Sequence, residues 1–177
     1  MSLTRVRAIV VAGVLAAAAL ILATIAIVRD SQAGTVASAC PEGAVRADLT
    51  LPKENGQVTV KVYNGSGVPG RAVKVTDDFK NRRFTTEKPA ENKSKVDDVA
   101  IIRYGPEAVG DAWVVRAYFL NQAEAEYDAR RKGVVVDVVI GEGFQQLATF
   151  TEVSQSLVEL GAPKVPPGAC RGPAEKS

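Results

Sequence analysis

An uninterrupted apolar stretch near the N-terminus limits most strongly what this chain can be. Residues 8–28 read AIVVAGVLAAAALILATIAIV and contain no charged residue and no proline. A helix of this length reaches about 30 Å, the thickness of the hydrocarbon core of a bilayer. Because a small soluble domain has no need for a helix that is apolar on every side, the stretch predicts a transmembrane helix over residues 8–28.

Charges on the two sides of this stretch predict its orientation. Arg5 and Arg7 precede it, whereas Arg29 and Asp30 follow it. Because basic residues are enriched on the cytoplasmic side of a membrane helix, we expect residues 1–7 in the cytoplasm. The expected localisation is the cell membrane, with a single pass and an extracytoplasmic C-terminal domain.

Two other kinds of N-terminal signal compete with the anchor. A cleaved signal peptide usually has an apolar core of about 7–15 residues, which is shorter than this stretch. Its small-residue cleavage site would have to be Ala-Ser-Ala at 37–39, too far beyond the apolar core. A lipoprotein site at Cys40 would have Leu where this chain has Ala37. The uncleaved anchor therefore explains the stretch best.

The composition excludes several classes of site. The chain has no histidine, which excludes a Ser-His-Asp triad and leaves a Ser66 nucleophile without an imidazole base. Two cysteines are too few for a four-cysteine zinc site. Outside the anchor and its flanking charges, basic and acidic residues are equal in number, so we expect no nucleic-acid partner. We expect no enzyme, no catalytic residue, no metal and no cofactor.

Two cysteines bracket everything that has a regular pattern. Cys40 lies early in the chain and Cys170 lies near its end. In an oxidising compartment such a pair predicts one disulfide that joins the two ends of a domain. Residues 29–57 show no lasting period and are interpreted as a linker. Residues 166–177 are interpreted as a C-terminal tail that contains Cys170.

The hydrophobic pattern between the cysteines predicts strands that alternate with helices. Strands are predicted at 58–63, 99–104 and 134–140, and helices from Pro69, from Pro106 and over 150–160. Residues 85–98 are expected to form a surface loop, with a short strand near Phe84. Residues 121–132 hold good helix formers and are expected to extend the second helix or form another. The predicted fold is α/β and of βαβαβ type over residues 58–165, with a three- or four-stranded sheet and two or three helices.

One strand-to-helix loop is the best candidate for a ligand site. Residues 64–70 read NGSGVPG, and Glu142 lies between two glycines after the last strand. Ligands of open α/β sheets bind at the carboxyl ends of strands, and glycine-rich helix starts attract anions. The candidate ligand-binding residues are Asn64, Gly65, Ser66, Gly67, Gly70 and Glu142. The alternative is that Asn64 or Ser66 caps the helix and the glycines, with Glu142, only form turns.

Two further side chains have open interpretations. Asp137 is a charge within an apolar strand and needs a cation nearby, for which Arg103 or Arg116 could serve. Trp113 is expected in the core, with a binding face as the alternative.

Three segments of the chain resemble the LytR C-terminal domain family. Residues 62–72 read VYNGSGVPGRA, residues 102–105 read IRYG, and residues 136–144 read VDVVIGEGF. The chain departs from the family where the first helix ends, because Arg83 stands where the family often has glycine. The resemblance implies an α/β domain that stands alone behind one membrane anchor, as in cell-envelope integrity proteins of Gram-positive bacteria. It implies no phosphotransfer residues, since these belong to a separate catalytic domain.

The expected function is that of a non-catalytic, membrane-anchored cell-envelope protein. It would support envelope integrity or wall-polymer attachment by binding cell-wall glycopolymer or an envelope protein. The alternative is an accessory subunit of a membrane complex that binds no polymer and contacts its partner through the anchor and the helix that carries Trp113.

Overall fold

A computed structural model describes Cys40 and residues 43–172, together with the single residues Arg7 and Gly13. The chain divides into two compact units, Met1–Ala39 and Cys40–Ser177. Of the transmembrane helix predicted at 8–28, all residues but Gly13 lie outside the described part of the chain. Among those that are described, no helix is long and apolar enough to cross a membrane.

The second unit has the alternating strands and helices that the pattern predicts. Its elements are β1 Val45–Ala47, β2 Thr59–Asn64, α1 Arg71–Asn81, β3 Thr85–Thr86, β4 Ala90–Glu91, β5 Ala100–Tyr104, α2 Val109–Ala117, β6 Glu124–Tyr127, β7 Val136–Ile140, α3 Phe150–Leu160 and β8 Ala169–Arg171. Single 3-10 turns, Asn55–Gln57 and Pro106–Ala108, precede β2 and α2.

Most of the strands form one mixed sheet. Its order is β3-β2-β7-β5-β6, and β4 also pairs with β2. All pairs are parallel except β5 and β7. The sheet therefore consists of two β-α-β units, β2-α1-β3 and β5-α2-β6, that run in opposite directions and are joined by β7. The α/β class is confirmed. The observed sheet is larger than the three or four strands expected, and it contains an antiparallel pair, β5 and β7, that the βαβαβ prediction did not include.

The helices cover one face of this sheet. Alternate residues of β2, β5 and β7 point to the helix side and are almost fully buried: Val60, Val62, Ala100, Ile102, Tyr104, Val136, Val138 and Ile140. Phe79 of α1 packs among them at 0% exposure, with its ring 5.1 Å from that of Phe84 and 6.2 Å from that of Tyr118. Because Phe79 lies in α1 and Tyr118 directly follows α2, this aromatic cluster joins the two helices. Burying one such ring stabilises the fold by about 1.5–3 kcal/mol.

The opposite face carries charged residues in one row across the strands. Lys61, Asp137, Arg103 and Glu126 are neighbours in register on β2, β7, β5 and β6. The partner of Asp137 is neither Arg103 nor Arg116, the two predicted, but Arg131, whose guanidinium lies 2.9 Å from the Asp137 carboxylate. Ion pairs therefore balance this face.

The helix expected at 121–132 is wrong. Leu120 and Asn121 have positive φ values of 52° and 62°, so the helical path cannot continue beyond the end of α2. The chain then turns back and forms β6 beside β5, although Glu124–Tyr127 lacks the β-branched pattern of a central strand. Pairing with β5, rather than local propensity, determines this element.

Both ends of the unit are part of the fold. The predicted disulfide between Cys40 and Cys170 is confirmed, with Cα atoms 5.5 Å apart. Beside it β1 pairs in parallel with β8, although β1 lies within the predicted linker and β8 within the predicted tail. The Asp48 N–H donates to the carbonyl of Pro106 over 2.8 Å, which attaches this segment to the start of α2. The folded unit therefore begins well before residue 58.

Candidate functional site

The predicted site residues meet at one end of the sheet. Because β2 and β7 are parallel neighbours, their carboxyl ends lie side by side. The Gly65 N–H donates to the carbonyl of Ile140 over 2.8 Å, so the loop 64–70 is bonded to the last residue of β7, immediately before residues 141–144. The Arg71 guanidinium adds contacts of 3.3 and 3.4 Å to the carbonyls of Gly141 and Glu142.

A third segment, within the predicted surface loop 85–98, completes this arrangement. The Val96 N–H donates to the carbonyl of Gly65 over 2.8 Å, and the Glu142 N–H donates to the carbonyl of Val96 over 2.7 Å. Val96 is buried, and it is the one apolar residue in the polar run 91–98, which was the signal available in the sequence. We call residues 64–70, 95–98 and 141–144 together the loop site.

The polar side chains of the first loop bond within the loop, except that Asn64 Nδ2 also donates to Glu91 Oε1 over 3.3 Å. Asn64 and Ser66 are both only 5% exposed. The Ser66 hydroxyl donates to Asn64 Oδ1 over 2.8 Å and accepts from the Val68 N–H over 3.2 Å. Asn64 Nδ2 donates to the Val68 carbonyl over 3.0 Å. These two residues therefore maintain the shape of the loop, and a ligand would contact its backbone.

Neither of these residues caps α1. The N-cap is Gly70, whose φ of 75° is left-handed, and no side chain accepts a hydrogen bond from the first turn. Gly65 serves another purpose, since a Cβ atom there would lie 3.0 Å from the side chains of both Val96 and Val139. The predicted helix cap is therefore wrong, whereas the prediction of glycines in tight turns is correct at Gly70.

A groove of about 230 Å³ adjoins the loop site beside the start of α1. Its lining is mostly small and apolar, and consists of Gly70, Ala72, Val73, Pro89, Ala90 and Glu91. Among the described residues the N–H groups of Ala72 and Val73 have no hydrogen-bond partner, as expected for a first helical turn. The groove therefore lies beside a helix start and combines small apolar walls with the carboxylate of Glu91, which accepts a hydrogen bond from Asn64.

Charges around the loop site are mixed in sign. The Lys95 side chain lies against Gly67, since its Cε would be 3.2 Å from a Cβ atom added to that glycine. The Arg71 guanidinium lies beside Gly141. Glu91 and the exposed Glu142 supply negative charge at the same end of the sheet. Asp97 and Asp98 are exposed in the same site, so carboxylates outnumber these two cations and the local field disfavours a polyanion.

The carboxyl group with the most perturbed pKa lies elsewhere. Asp111 is in the first turn of α2, which follows the opposite end of the sheet because β5 is antiparallel to β7. Burial, with a smaller contribution from the negative charge of Asp48, raises the pKa of Asp111 to about 6. Among residues 43–172, no cluster of three or more His, Cys, Asp or Glu side chains could hold a metal ion.

Trp113 belongs to the core and not to a binding face. It is 7% exposed, and its indole N–H donates to the carbonyl of Gly161 over 2.9 Å. The Arg116 guanidinium stacks over its ring at 5.1 Å. The alternative interpretation of Trp113 as a contact for a partner is therefore wrong.

Comparison with known proteins places these features in a family. The family model described as LytR cell envelope-related transcriptional attenuator matches residues 57–144. The crystal structure of the soluble domain of a conserved hypothetical secreted protein from Mycobacterium marinum is also similar. It is 26% identical, with 65% of this chain and 82% of that chain covered and a TM-score of 0.54. No curated protein matches the chain.

Proposed function

Residues 57–144 belong to the LytR cell envelope-related family, and we propose on that premise that this protein is a non-catalytic, membrane-anchored cell-envelope module. It supports envelope integrity or wall-polymer attachment by binding cell-wall glycopolymer at the loop site and its adjoining groove. Residues 8–28 hold it in the cell membrane, and the domain lies outside. The similarity to a secreted protein's soluble domain supports this placement.

One observation carries the choice of ligand. The groove lies beside the start of α1, where the N–H groups of Ala72 and Val73 are unbonded among the described residues, and it has small apolar walls. Its third feature is the Glu91 carboxylate, which also accepts from Asn64 Nδ2 over 3.3 Å. Sugar hydroxyl groups both donate and accept hydrogen bonds, and sugar rings have apolar faces, so one saccharide unit can use all three features. A polyanion would approach Glu91 and Glu142 unfavourably, and a neutral polymer would not.

The test is sedimentation of residues 40–177, oxidised, with isolated cell-wall sacculi. We expect pelleting that persists at moderate salt and falls when secondary polymers are stripped. Val73, 53% exposed in the groove, and Val158, 83% exposed on α3, form a matched pair. Val73→Lys should abolish pelleting because the longer cation fills the groove, whereas Val158→Lys should leave it unchanged.

Two results would contradict the polymer assignment. Wild-type protein that stays in the supernatant excludes a wall polymer as the ligand. Equal pelleting of the Val73→Lys and Val158→Lys variants excludes the groove as the site. The double variant Asn64→Ala, Ser66→Ala should also weaken binding, since both side chains are buried and support the loop, and Asn64 bonds to the Glu91 carboxylate in the groove.

A second candidate function is that of an accessory subunit in a membrane complex. Phe150 and Val158 on α3 are each 83% exposed, and large exposed apolar side chains mark protein contacts when they form a patch. This function predicts a detergent-stable complex that is lost when residues 8–28 are replaced by an unrelated anchor. Phe150→Ser together with Val158→Ser should also release the partner while sedimentation with sacculi is unchanged.

A further inference from the structure

The two edges of the six-stranded sheet differ in how the chain closes them. At one edge β3 and β4, of two residues each, both pair with β2, and Pro89 lies between them. A short, interrupted edge with a proline cannot easily accept another strand. At the other edge β6 is continuous over Glu124–Tyr127, and within residues 43–172 it pairs only with β5.

The free backbone groups of β6 follow from its register. The Asp128 N–H donates to the carbonyl of Tyr104 over 3.1 Å, which sets the parity of this parallel ladder. The backbone of Glu126 therefore faces β5, and the N–H and C=O groups of Ala125 and Tyr127 point away from the sheet. None of these outward groups has a hydrogen-bond partner among the described residues.

The side chains at this edge are acidic on the face without helices. Glu124 and Glu126 lie opposite Ile101 and Arg103 of β5. The Arg103 guanidinium contacts Glu126 over 2.6 Å, whereas Glu124 has no ion-pair partner within the described part of the chain. Alternate positions of β6 therefore present carboxylates on one face beside free backbone groups.

This pattern disfavours pairing with a second copy of the chain. Directly opposed residues of antiparallel strands point to the same face, so Glu124 of one copy would meet Glu124 or Glu126 of the other. If one strand slides along the other by two residues, Glu126 of one copy lies opposite Glu126 or Asp128 of the other, and Asp128 is on the same face. Every such register opposes carboxylates, which is destabilising. A strand with basic residues at alternate positions has the complementary pattern.

We propose that β6 is a docking edge for an extended segment of a partner protein that carries Lys or Arg at alternate positions. The segment adds a strand to the sheet: its backbone bonds to Ala125 and Tyr127, and its basic side chains lie against Glu124 and Glu126. This surface is separate from the loop site, so it stands or falls independently of glycopolymer binding.

The experiment uses the full-length protein, labelled with ¹⁵N, in nonionic detergent micelles. The probe is a nine-residue peptide, blocked at both ends, in which lysine alternates with threonine and valine. In the free protein the amide protons of Ala125 and Tyr127 should exchange rapidly. With saturating peptide their exchange should slow at least tenfold, and the amide of Glu126, already bonded within the ladder, should change little.

Two variants separate strand addition from simple charge attraction. Ala125→Pro removes an outward N–H and no bond of the ladder, so the protein should stay folded and lose peptide binding. Glu124→Gln with Glu126→Gln keeps the backbone edge and should weaken binding at least tenfold. A peptide N-methylated at the bonding positions, with unchanged charge, should not bind.

Five results would overturn the proposal. Equal binding by the Ala125→Pro variant or by the N-methylated peptide would show charge attraction without pairing. Equal binding of a peptide with glutamate in place of lysine would remove the basic specificity. Protection of Ala125 and Tyr127 that rises with protein concentration alone would assign the edge to self-association. Absence of binding at millimolar peptide would show that the edge accepts no such strand.

Discussion

Replacing Cys40 and Cys170 with serine should lower stability mainly through the unfolded state. The disulfide closes a loop with a sequence separation of 130 residues. In the chain-entropy model, closing a loop of this length restricts the unfolded chain by about 5 kcal/mol. A typical domain is stable by only about 5–15 kcal/mol, so this bond supplies a large share of the total.

The native fold should survive this change, because other contacts join the same ends. β1 remains paired with β8, and the Gly172 N–H donates to the carbonyl of Ala47 over 2.9 Å. Asp48 remains bonded to Pro106. The free energy lost should therefore reflect the greater freedom of the unfolded chain and not a new native structure.

Urea unfolding of residues 40–177 measures the effect. With an m-value of about 2 kcal/mol per molar urea, a loss of about 5 kcal/mol lowers the midpoint by about 2.5 M. Reduced wild-type protein is the control and should match the serine variant. A shift below about 0.5 M would refute the reasoning, because it would mean that the unfolded state is already compact or that the ends separate without cooperative unfolding.

Two further predictions concern single residues, Asp111 in α2 and Arg83 just after α1. The raised pKa of Asp111, about 6, means that the folded state binds this proton more tightly than the unfolded state does, so its contribution to stability falls as pH rises from about 4 to 6. Asp111→Asn should therefore raise the free energy of unfolding at pH 7.5 by about 1 kcal/mol, after allowance for solvent screening, and change it little at pH 4. Thermal unfolding measures this difference, and Glu107→Gln, at an exposed carboxylate, is the control that should not show the pH dependence. Arg83 has a φ of 67°, so Arg83→Gly should stabilise by about 1 kcal/mol, measured by urea unfolding; Lys80→Gly within α1 should instead destabilise by a similar amount. A loss of stability in Arg83→Gly would show that the left-handed conformation costs little there.

Strong local patterns predicted the central part of the fold. β2, β5 and β7 lie where β-branched residues alternate or run together, within two residues of the predicted bounds. The last helix, Phe150–Leu160, was predicted with its stop at Gly161, and the Thr149 capping box explains its start. These elements bury enough apolar surface that local pattern and tertiary environment agree.

The site was predicted only in part. The rule for carboxyl ends of neighbouring parallel strands placed residues 64–70 beside Glu142, and the structure brings them together. It could not place Val96, because a single apolar residue in a polar run has no period. Nor could the sequence show that Asn64 and Ser66 are buried, since an Asn-Gly-Ser turn can point its side chains outward or inward.

The sequence by itself determined where this chain can bury apolar surface: an apolar stretch of membrane length at 8–28, three central strands, and amphipathic helices between two cysteines. Tertiary structure alone decided the rest. β6 is polar and becomes a strand only because β5 offers an edge, and β5 runs antiparallel to β7 because the two β-α-β units meet there. Strand direction and edge pairing depend on contacts between residues distant in sequence, and no local pattern records them.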